Sequence, residues 1–247
     1  MSARFYADVA LVPGTSISLP EQTARHVQVL RLQPGEQITL FNGRGDTEGE
    51  FQATVERMGR SDVDVVIGTY TATQQEAARP IHLVVSMPAN DRMDWLVEKA
   101  TELGAASIQP VMSERSVLRL KTERADKKVA HWRGIAIAAS EQCGRNRLMR
   151  VHEVATLSDW LKKVSSVPAG DGERLLLSLQ QGTRPLMQAS VSTGAVSFLS
   201  GPEGGLSPTE EIAALACGFS PVTLGPRVLR AETAPLAVLS FLSLWSG

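Results

Sequence analysis

The sequence predicts an α/β protein in which a small β-rich N-terminal domain precedes a larger domain with a mostly parallel sheet. Residues 38–71 form short runs that alternate apolar and polar side chains, which is typical of β-strands. After residue 80, apolar strand-like runs alternate with helical segments, as in α/β domains. The polar stretch 71–80, which ends in a proline, separates the two patterns and is typical of a linker. We therefore predict domains at residues 1–73 and 74–247.

The predicted elements follow in order along the chain. In the first domain, QITLFNG, EFQATVER and VDVVIGTY predict strands, and Asn42 followed by Gly43 suits a hairpin turn. In the second domain, IHLVVSM, ASIQPV, LLLSL, VSFLS and PVTL predict strands. Helices are predicted at four places, namely 93–103, 127–141, from about Ser207 onward, and the apolar stretch 235–245.

Composition excludes several classes of protein. An apolar fraction of 43% with 21% charged residues is typical of a folded globular protein and not of a disordered chain. The two cysteines, Cys143 and Cys217, lack the spacing of a zinc site or of a disulfide framework. The N-terminus lacks a secretory signal, and the stretch 235–245 is about half the roughly 20 residues that span a bilayer. We expect a cytoplasmic protein with no metal and no membrane segment.

Positive charge is concentrated in one segment of the chain. Residues 113–150 hold ten Lys and Arg side chains against four Asp and Glu, whereas the whole chain has a net charge of −1. Such a cluster could neutralise a run of RNA phosphates. A solvated helix face explains the same charges equally well.

A glycine-rich loop, GPEGG at Gly201–Gly205, directly follows an apolar strand and precedes a predicted helix. Ligands bind open α/β sheets at the carboxyl ends of the strands, and glycines allow a tight turn and close approach of the backbone to a ligand. The spacing matches neither the G-x-G-x-x-G pattern nor a phosphate-binding loop, which also requires a Lys followed by Ser or Thr. The loop is therefore a candidate cofactor site. The alternative is an ordinary strand-to-helix turn capped by Ser207.

A second loop, LGPRVLRAETA at Leu224–Ala234, follows the strand PVTL and leads into the apolar last helix. Arg227, Arg230 and Glu232 place charges next to a buried helix, where charges are costly unless they are used. The alternative is that Glu232 and Thr233 only cap the helix and that the arginines are solvated.

Together, the two loops resemble the last two motifs of the SPOUT, or trefoil-knot, class of RNA methyltransferases. The pairing of GPEGG with LGPRVLRAETA is similar in particular to the family that methylates N3 of a uridine in 16S ribosomal RNA. Matches to this family run through nearly the whole chain. They include Arg4-Phe5-Tyr6, His26, Val29-Leu30-Arg31, Gly35, Glu98-Lys99, Glu102-Leu103-Gly104, Pro110, Arg115-Ser116 and Glu141-Gln142-Cys143-Gly144-Arg145.

The resemblance implies a fold, a cofactor and partners. It implies a PUA-like β-barrel for RNA binding at the N-terminus and a C-terminal α/β domain threaded into a trefoil knot, which sequence patterns alone do not predict. It also implies a homodimer, a pocket for S-adenosyl-L-methionine near the subunit interface, and 16S rRNA of the small ribosomal subunit as the partner. The apolar face of the last helix suits a dimer interface or an intramolecular core, and it includes Leu236, Leu239, Phe241, Leu242 and Trp245.

The resemblance further implies which residues hold the cofactor. Backbone and apolar groups suit this task, because an adenine needs apolar walls and only a few hydrogen bonds. The glycines at 204 and 205 are expected to leave room that a side chain would fill. The implied cofactor-binding residues are Leu179, Gln180, Leu199, Gly201, Gly204, Gly205, Leu224, Gly225 and Leu229.

The chemistry that the resemblance implies needs charged groups. Uridine N3 carries a proton at neutral pH, so an enzyme acting there must favour its loss and stabilise negative charge on O2 and O4. Arg230 is the candidate for stabilising this charge, and Glu203 or Glu232 is the candidate for accepting the proton or orienting the arginine. Because N3 lies on the Watson–Crick edge, the target must be unpaired or flipped. The residues expected along the RNA path are Arg4, His26, Arg31, Arg115, Arg145 and Arg147.

Two other functions fit parts of the same pattern. A SPOUT enzyme that methylates a ribose 2′-hydroxyl carries an asparagine-rich or serine–asparagine final motif, whereas this chain has LRAET at 229–233. A non-catalytic RNA-binding protein with the same fold would have lost the glycines of the segment 201–205, which are present. Methylation at N3 is therefore the function that the sequence favours.

Overall fold

The computed structural model describes residues 2–43, 49–73, 75–166, 172–180, 182–189 and 194–244. The chain forms two compact units. Unit 1 consists of Met1–Glu76 together with Ile137–Leu148, and unit 2 of Ala77–Ala136 together with Met149–Gly247. The division predicted between residues 73 and 74 remains a prediction about domains. A single boundary at that point places residues 137–148 in the second domain, whereas the structure groups them with unit 1.

Unit 1 is built around a five-stranded sheet with strand order β1-β3-β4-β5-β2. The first strand pairs parallel to β3, and the remaining neighbours pair antiparallel. Every second side chain is buried over most of β4 and over the first half of β5, so one face of the sheet carries the core. The elements are β1 (Arg4–Tyr6), β2 (Ser16–Ser18), α1 (Glu21–Val29), β3 (Gln37–Phe41), β4 (Gly49–Met58) and β5 (Val63–Ala72).

The helix α1 was not predicted from the sequence. Its nine residues, EQTARHVQV, are mostly polar, and the buried ones are Thr23, Ala24 and Val27. Two small or polar side chains and one valine give a faint apolar stripe, which is too weak to indicate a helix by itself. The three predicted strands between residues 38 and 71 are confirmed.

Unit 2 holds an eight-stranded sheet in which every pairing is parallel. Its main path runs β11-β13-β10-β12-β6-β7-β8, and β9 pairs with β7 off this path. The predicted α/β class with a parallel sheet is confirmed, whereas the knot remains a prediction. The strands are β6 (Ile81–Ser86), β7 (Ser107–Met112), β8 (Arg150–Val151), β9 (Ala155–Thr156), β10 (Glu173–Leu177), β11 (Arg184–Pro185), β12 (Val196–Ser200) and β13 (Ser220–Thr223).

Helices cover both faces of this sheet. Consecutive residues of one strand enter different cores, as Leu83 and Val84 do in β6 and as Phe198 and Leu199 do in β12. Burial on both faces explains why these strands are continuous apolar runs in the sequence. The helices are α2 (Asn90–Glu102), α3 (Thr122–Cys143), α4 (Leu157–Ser165), α5 (Pro208–Ala216) and α6 (Thr233–Leu244), and a 3₁₀ turn spans Leu186–Gln188.

Two helices differ from the prediction. The helix α3 begins at Thr122, five residues before the predicted start, and its residues 137–143 belong to unit 1. The helix α4 was missed, although Thr156 caps it by accepting a hydrogen bond from Asp159 N at 3.1 Å. Trp245, which we predicted on the face of the last helix, lies outside the described residues. Among the residues that are described, no helix combines the length and apolar character needed to cross a membrane.

Candidate cofactor and reaction site

Three loops of unit 2 meet at one edge of the sheet. They follow β10, β12 and β13, which are neighbours in the order β13-β10-β12 and run parallel, so their carboxyl ends lie side by side. Between the loops is a cavity of about 250 Å³. The cavity is lined by Leu177, Leu179 and Gln180 from the first loop, by residues 201–206 from the second, by residues 223–225, 227–229, 231 and 234 from the third, and by Arg115 and Glu211.

The shape of the glycine loop depends on Gly201. A Cβ atom there would lie 2.8 Å from the Leu206 backbone nitrogen and 3.0 Å from the Gly205 carbonyl carbon, so the turn has no space for a side chain. Gly205 has a φ of +69°, which L residues rarely adopt, and its N–H donates to the Pro202 carbonyl at 2.8 Å. The loop therefore folds tightly because of its glycines.

The start of α5 anchors the far end of this loop. Ser207 Oγ accepts a hydrogen bond from Glu210 N at 3.3 Å, and Glu210 Oε2 accepts one from Ser207 N at 2.9 Å. This reciprocal capping box fixes the first turn of the helix. The predicted Ser207 cap is thus present together with the cavity, so the cap and the cofactor role are not alternatives.

Eight of the nine predicted cofactor residues line the cavity. The exception is Leu199, which is fully buried in β12 behind it. A Cβ atom at Gly204 would lie at an ordinary 3.5 Å from Arg115 Cδ, so Gly201 and not Gly204 is the sterically demanding position. The roles of these residues toward a cofactor remain predictions.

Arg115, which we predicted on the RNA path, lies shortly after β7 and is hydrogen-bonded to the glycine loop. Its Nη1 donates to the Gly204 carbonyl at 2.8 Å and to the Leu206 carbonyl at 3.3 Å, while the residue itself is exposed. Glu211 was not predicted. Its Oε1 accepts a hydrogen bond from Ser178 Oγ at 3.3 Å, which places a carboxylate in the cavity wall.

Two of the three candidate catalytic residues, Arg230 and Glu232, border a second cavity of about 510 Å³, whereas Glu203 lines the first. Leu229, Ala231 and Ala234 line the first cavity, whereas residues 230, 232 and 233 of the same segment line the second. Arg230 and Glu232 therefore line the second cavity, whereas most of the predicted cofactor residues line the first. The second cavity is lined by Asp91, Arg92, Trp95, Arg230, Glu232 and Thr233.

Arg92, which the sequence did not single out, connects these groups. Its Nη1 donates to Glu203 Oε1 at 3.2 Å, and its Nε lies 3.8 Å from Glu232 Oε1. Because Glu203 lines the first cavity and Arg92 the second, this ion pair joins the walls of the two cavities. The only sequence signal for Arg92 is its position in the first turn of the helix that follows β6.

Glu232 is buried, with 8% of its side chain exposed. Within the described part of the chain, its Oε2 atom is buried and has no hydrogen-bond partner. Arg230 is exposed, and its backbone carbonyl accepts hydrogen bonds from the amides of Thr233 and Ala234 at the start of α6. The alternative that Glu232 only caps this helix remains untested by these contacts.

Of the predicted RNA-binding arginines, Arg145 is buried within unit 1 and Arg4 is half-buried there. Arg4 donates to the carbonyls of Ser140 at 2.7 Å and Arg145 at 2.9 Å and pairs with Glu50 at 3.3 Å. Burial lowers the pKa of Arg4, and the contacts to Glu50 oppose that shift. Arg145 is 2% exposed, and its guanidinium lies 2.6 Å from Glu76 Oε2. Both side chains are held by protein groups, which opposes the predicted contact with phosphates.

The other three predicted RNA-binding residues of unit 1 are exposed. His26 Nδ1 lies 3.4 Å from Glu141 Oε2, and its ring packs edge-on against Phe5. Arg31 has a φ of +56°, in the left-handed region. The binding of RNA by His26, Arg31 and Arg147 remains a prediction. Among the described residues, no cluster of His, Cys, Asp and Glu side chains could hold a metal ion.

Comparison with known proteins now assigns the chain to a family. The profile of the "RNA methyltransferase domain" family matches residues 75–243, and that of the "RNA methyltransferase PUA domain" matches residues 19–68. The chain belongs to this RNA methyltransferase family. The match places a PUA domain in the region predicted to hold one, and the family assignment confirms the predicted resemblance.

Other members of the family are similar over nearly their whole length. The ribosomal RNA small subunit methyltransferase E of Bacillus subtilis is 30% identical over 236 residues, which is 90% of this chain and 87% of that protein. The enzyme of the same name from Neisseria gonorrhoeae, solved bound to S-adenosyl methionine, is 37% identical with a TM-score of 0.91 and covers 99% of this chain and 98% of its own. A methyltransferase from Legionella pneumophila, solved with the bound cofactor SAM, is 34% identical and has the same TM-score. The match covers 99% of this chain and 98% of that chain.

Proposed function

We propose that this RNA methyltransferase transfers a methyl group from S-adenosyl-L-methionine to N3 of a uridine in 16S rRNA of the small ribosomal subunit. The observation that carries the proposal is the cavity at the carboxyl ends of β10, β12 and β13, which is built from the two motif-bearing loops. Support comes from relatives that are named ribosomal RNA small subunit methyltransferase E, and from two similar structures that are solved with this cofactor bound.

The residues of the cavity fit the cofactor. Leu179, Leu224 and Leu229 provide apolar surface for an adenine ring, and the glycine loop contributes backbone to the cavity wall for its few hydrogen bonds. Glu211 adds a carboxylate that complements hydroxyl groups or a positive charge. When bound, S-adenosyl-L-methionine supplies an electrophilic methyl group on a sulfonium.

The chain's own residues have to prepare the uridine. As the N3 proton passes to a carboxylate, the N3 electron pair forms the new bond to the methyl carbon, and the electrons of the broken carbon–sulfur bond remain on sulfur. Glu203 at the first cavity and Glu232 at the second are the carboxylates that we assign to this task. Arg230 is permanently charged and stabilises the negative charge that develops on the uracil oxygens.

The proposal extends to the surroundings of the site. The exposed His26, Arg31, Arg115 and Arg147 are proposed to contact the RNA, and a homodimer in the cytoplasm is proposed as the working form. The electrostatic part of RNA binding depends on salt, because each neutralised phosphate releases counterions.

Mapping the product tests this function. Small-subunit rRNA from a strain that lacks the gene is incubated with the purified protein and the cofactor, digested to nucleosides and analysed by mass spectrometry. The proposal expects 3-methyluridine at one position. A 2′-O-methylated nucleoside would instead indicate the ribose enzyme, and cofactor binding without any methylated nucleoside would contradict catalysis on this RNA.

A further inference from the structure

We propose that the second cavity, lined by Asp91, Arg92, Trp95, Arg230, Glu232 and Thr233, is a binding site for a uracil base. This inference rests on the proposed function for the identity of the base, and it assigns that base to a place. The cavity shares the Arg92–Glu203 ion pair with the wall of the cofactor cavity, so a base bound there lies next to the predicted methyl donor.

The polar groups of this cavity complement the edge of uracil. The Watson–Crick edge of uracil presents an acceptor at O2, a donor at N3 and an acceptor at O4. The cavity offers donors from the Arg230 guanidinium and the Thr233 hydroxyl and a carboxylate acceptor from Glu232. A pattern of two donors and one acceptor therefore faces a pattern of two acceptors and one donor.

Glu232 provides the observation that points to a ligand. Its side chain is more than nine-tenths buried, yet Oε2 has no hydrogen-bond partner among the described residues. Buried polar atoms are nearly always paired, because an unpaired one loses its bonds to water without compensation. The N3–H group of a bound uracil is a donor that would satisfy this oxygen once the Glu232 side chain turns it toward the cavity.

Arg92 holds the carboxylate in position for this contact. It approaches Glu232 Oε1 at 3.8 Å and Glu203 Oε1 at 3.2 Å, so one guanidinium compensates the charge of the buried carboxylate from the Oε1 side. The Oε2 atom is thereby left for the base. Arg92 is a positioning residue for Glu232, and Glu203 is its second anchor and not the group that accepts from the base.

Trp95 supplies the surface on which a base can stack. It follows Arg92 by one turn of α2 and is 44% exposed, whereas Met93 and Leu96 beside it are fully buried. The helix is thus fixed by its buried face, and an indole is presented at the mouth of the cavity. Unstacked bases are commonly recognised by stacking on aromatic side chains and on arginine guanidinium groups.

The same pattern predicts discrimination between the pyrimidines. Cytosine presents an amino donor at N4 and an acceptor at N3, so its N3 would face the Glu232 carboxylate acceptor to acceptor, and its amino group would face a guanidinium donor to donor. A site whose polar groups are left unpaired by the wrong ligand rejects it strongly. We therefore expect uridine to bind at least about tenfold more tightly than cytidine.

Binding of the free nucleosides tests the site without requiring catalysis. Uridine and cytidine are titrated into the full-length protein, saturated with S-adenosylhomocysteine, and binding is followed by ligand-observed NMR. We expect Trp95→Ala to weaken uridine binding about tenfold, Trp95→Phe to weaken it less, and Arg92→Ala to weaken it with partial rescue in Arg92→Lys. Glu232→Gln should reduce the preference for uridine over cytidine.

Lys99→Ala is the matched control, because Lys99 lies on the same helix and contacts two carboxylates, Glu98 and Glu102, at 2.7 Å each. It should bind uridine as the wild type does. A double variant separates positioning from general damage. If Arg92 acts through Glu232, the variant Arg92→Ala with Glu232→Gln binds uridine no more weakly than the weaker single variant.

Several results would overturn the site. One is uridine affinity unchanged in both Trp95→Ala and Glu232→Gln, and another is fully additive losses in the double variant. A Trp95→Ala protein that sediments at half the mass of the wild type would assign the indole to an interface between copies of the chain. If uridine binds as expected while small-subunit rRNA is not methylated, the uracil site is supported and the proposed function is contradicted. If the rRNA is methylated but uridine binding is insensitive to these variants, the proposed function is supported and the uracil site is contradicted.

Discussion

The guanidinium of Arg145 and the carboxylate of Glu76 lie 2.6 Å apart in unit 1, with 3% and 10% of their side chains exposed. Removing one partner of a buried ion pair leaves an uncompensated charge and typically costs about 3–5 kcal/mol. We therefore expect Glu76→Gln to lower the free energy of unfolding by several kcal/mol in urea denaturation. The exposed pair of Arg57 with Asp64 is the control, and Arg57→Ala should change stability little. Equal small effects for both variants would show that the Arg145 pair is not a structural interaction.

RNA binding is expected to depend on the exposed arginines and not on Arg145. Arg147 and Arg31 are exposed, so reversing either to Glu should weaken binding of small-subunit rRNA and reduce the salt slope by about one per lost phosphate contact. The measurement is affinity at several salt concentrations, with cofactor affinity as the check on folding. A slope identical to that of the wild type in the double variant Arg31→Glu with Arg147→Glu would mean that these charges do not contact the RNA.

The glycine loop gives a prediction that distinguishes two neighbouring positions. Gly201→Ala would place a methyl group 2.8 Å from the Leu206 nitrogen, so the loop must shift and cofactor affinity should fall by tenfold or more. Gly204→Ala meets Arg115 at an ordinary 3.5 Å and should lose much less. Calorimetry with S-adenosyl-L-methionine measures both. Equal affinities for the two variants would contradict the assignment of the turn to Gly201.

The sequence predicts this loop well because its cause is local. Within a few residues, the sequence shows three glycines at the end of an apolar strand and then Ser207 at the start of a helix. These residues determine the turn, the helix cap and the position of the loop at the end of a strand. The strands of unit 2 were likewise predictable, because burial on both faces makes them apolar throughout.

The parts that escaped prediction depend on distant partners. Arg92 is 111 residues from Glu203 in the sequence, and only the adjacency of β6 and β12 in the sheet brings the elements that follow them together. Arg145 was expected on the RNA path because it lies in a basic segment, but its partner Glu76 is 69 residues away. The sequence shows which residues are charged, whereas the fold decides which of them are buried and with which residues they pair.

The free energy of unfolding should fall as the pH is lowered through the range in which the histidines of unit 2 titrate. Burial lowers the pKa of His82, whose Nδ1 lies 2.8 Å from Ser107 Oγ, and burial followed by repulsion from Arg150, His82 and Arg133 lowers the pKa of His152. The unfolded chain then binds more protons than the folded one below the ordinary value of 6.5. The stability that these rings contribute is therefore present above pH 6.5 and is lost as the pH falls through their lowered pKa values.

Urea unfolding at pH 8, 6.5 and 5 measures this dependence. His82→Gln removes one of the two groups and should give a flatter dependence than the wild type between pH 6.5 and 5. A variant whose stability falls as steeply as that of the wild type would show that His82 contributes nothing to the acid sensitivity.

Arg230 is expected to act in the chemical step. It is exposed at the wall of the second cavity, and its side chain makes no hydrogen bond or ion pair with any of the described residues, so its removal should not disturb folding. A preorganised donor to a developing anion is worth about 10² to 10³ in rate, and Arg230→Ala should lose that factor in single-turnover methylation of small-subunit rRNA. Lysine should restore the rate only in part, because it supplies charge without the fork of donors.

The pH dependence of that variant separates catalysis from binding. As the pH rises toward the range where uridine N3 loses its proton without help, forming the anion costs less free energy and depends less on Arg230, so the deficit of Arg230→Ala relative to the wild type should shrink. A residue that only holds the RNA would give a deficit that saturating RNA removes and that pH leaves unchanged. The assigned role is wrong if the variant keeps a near-normal single-turnover rate, or if it loses activity because it no longer binds S-adenosyl-L-methionine.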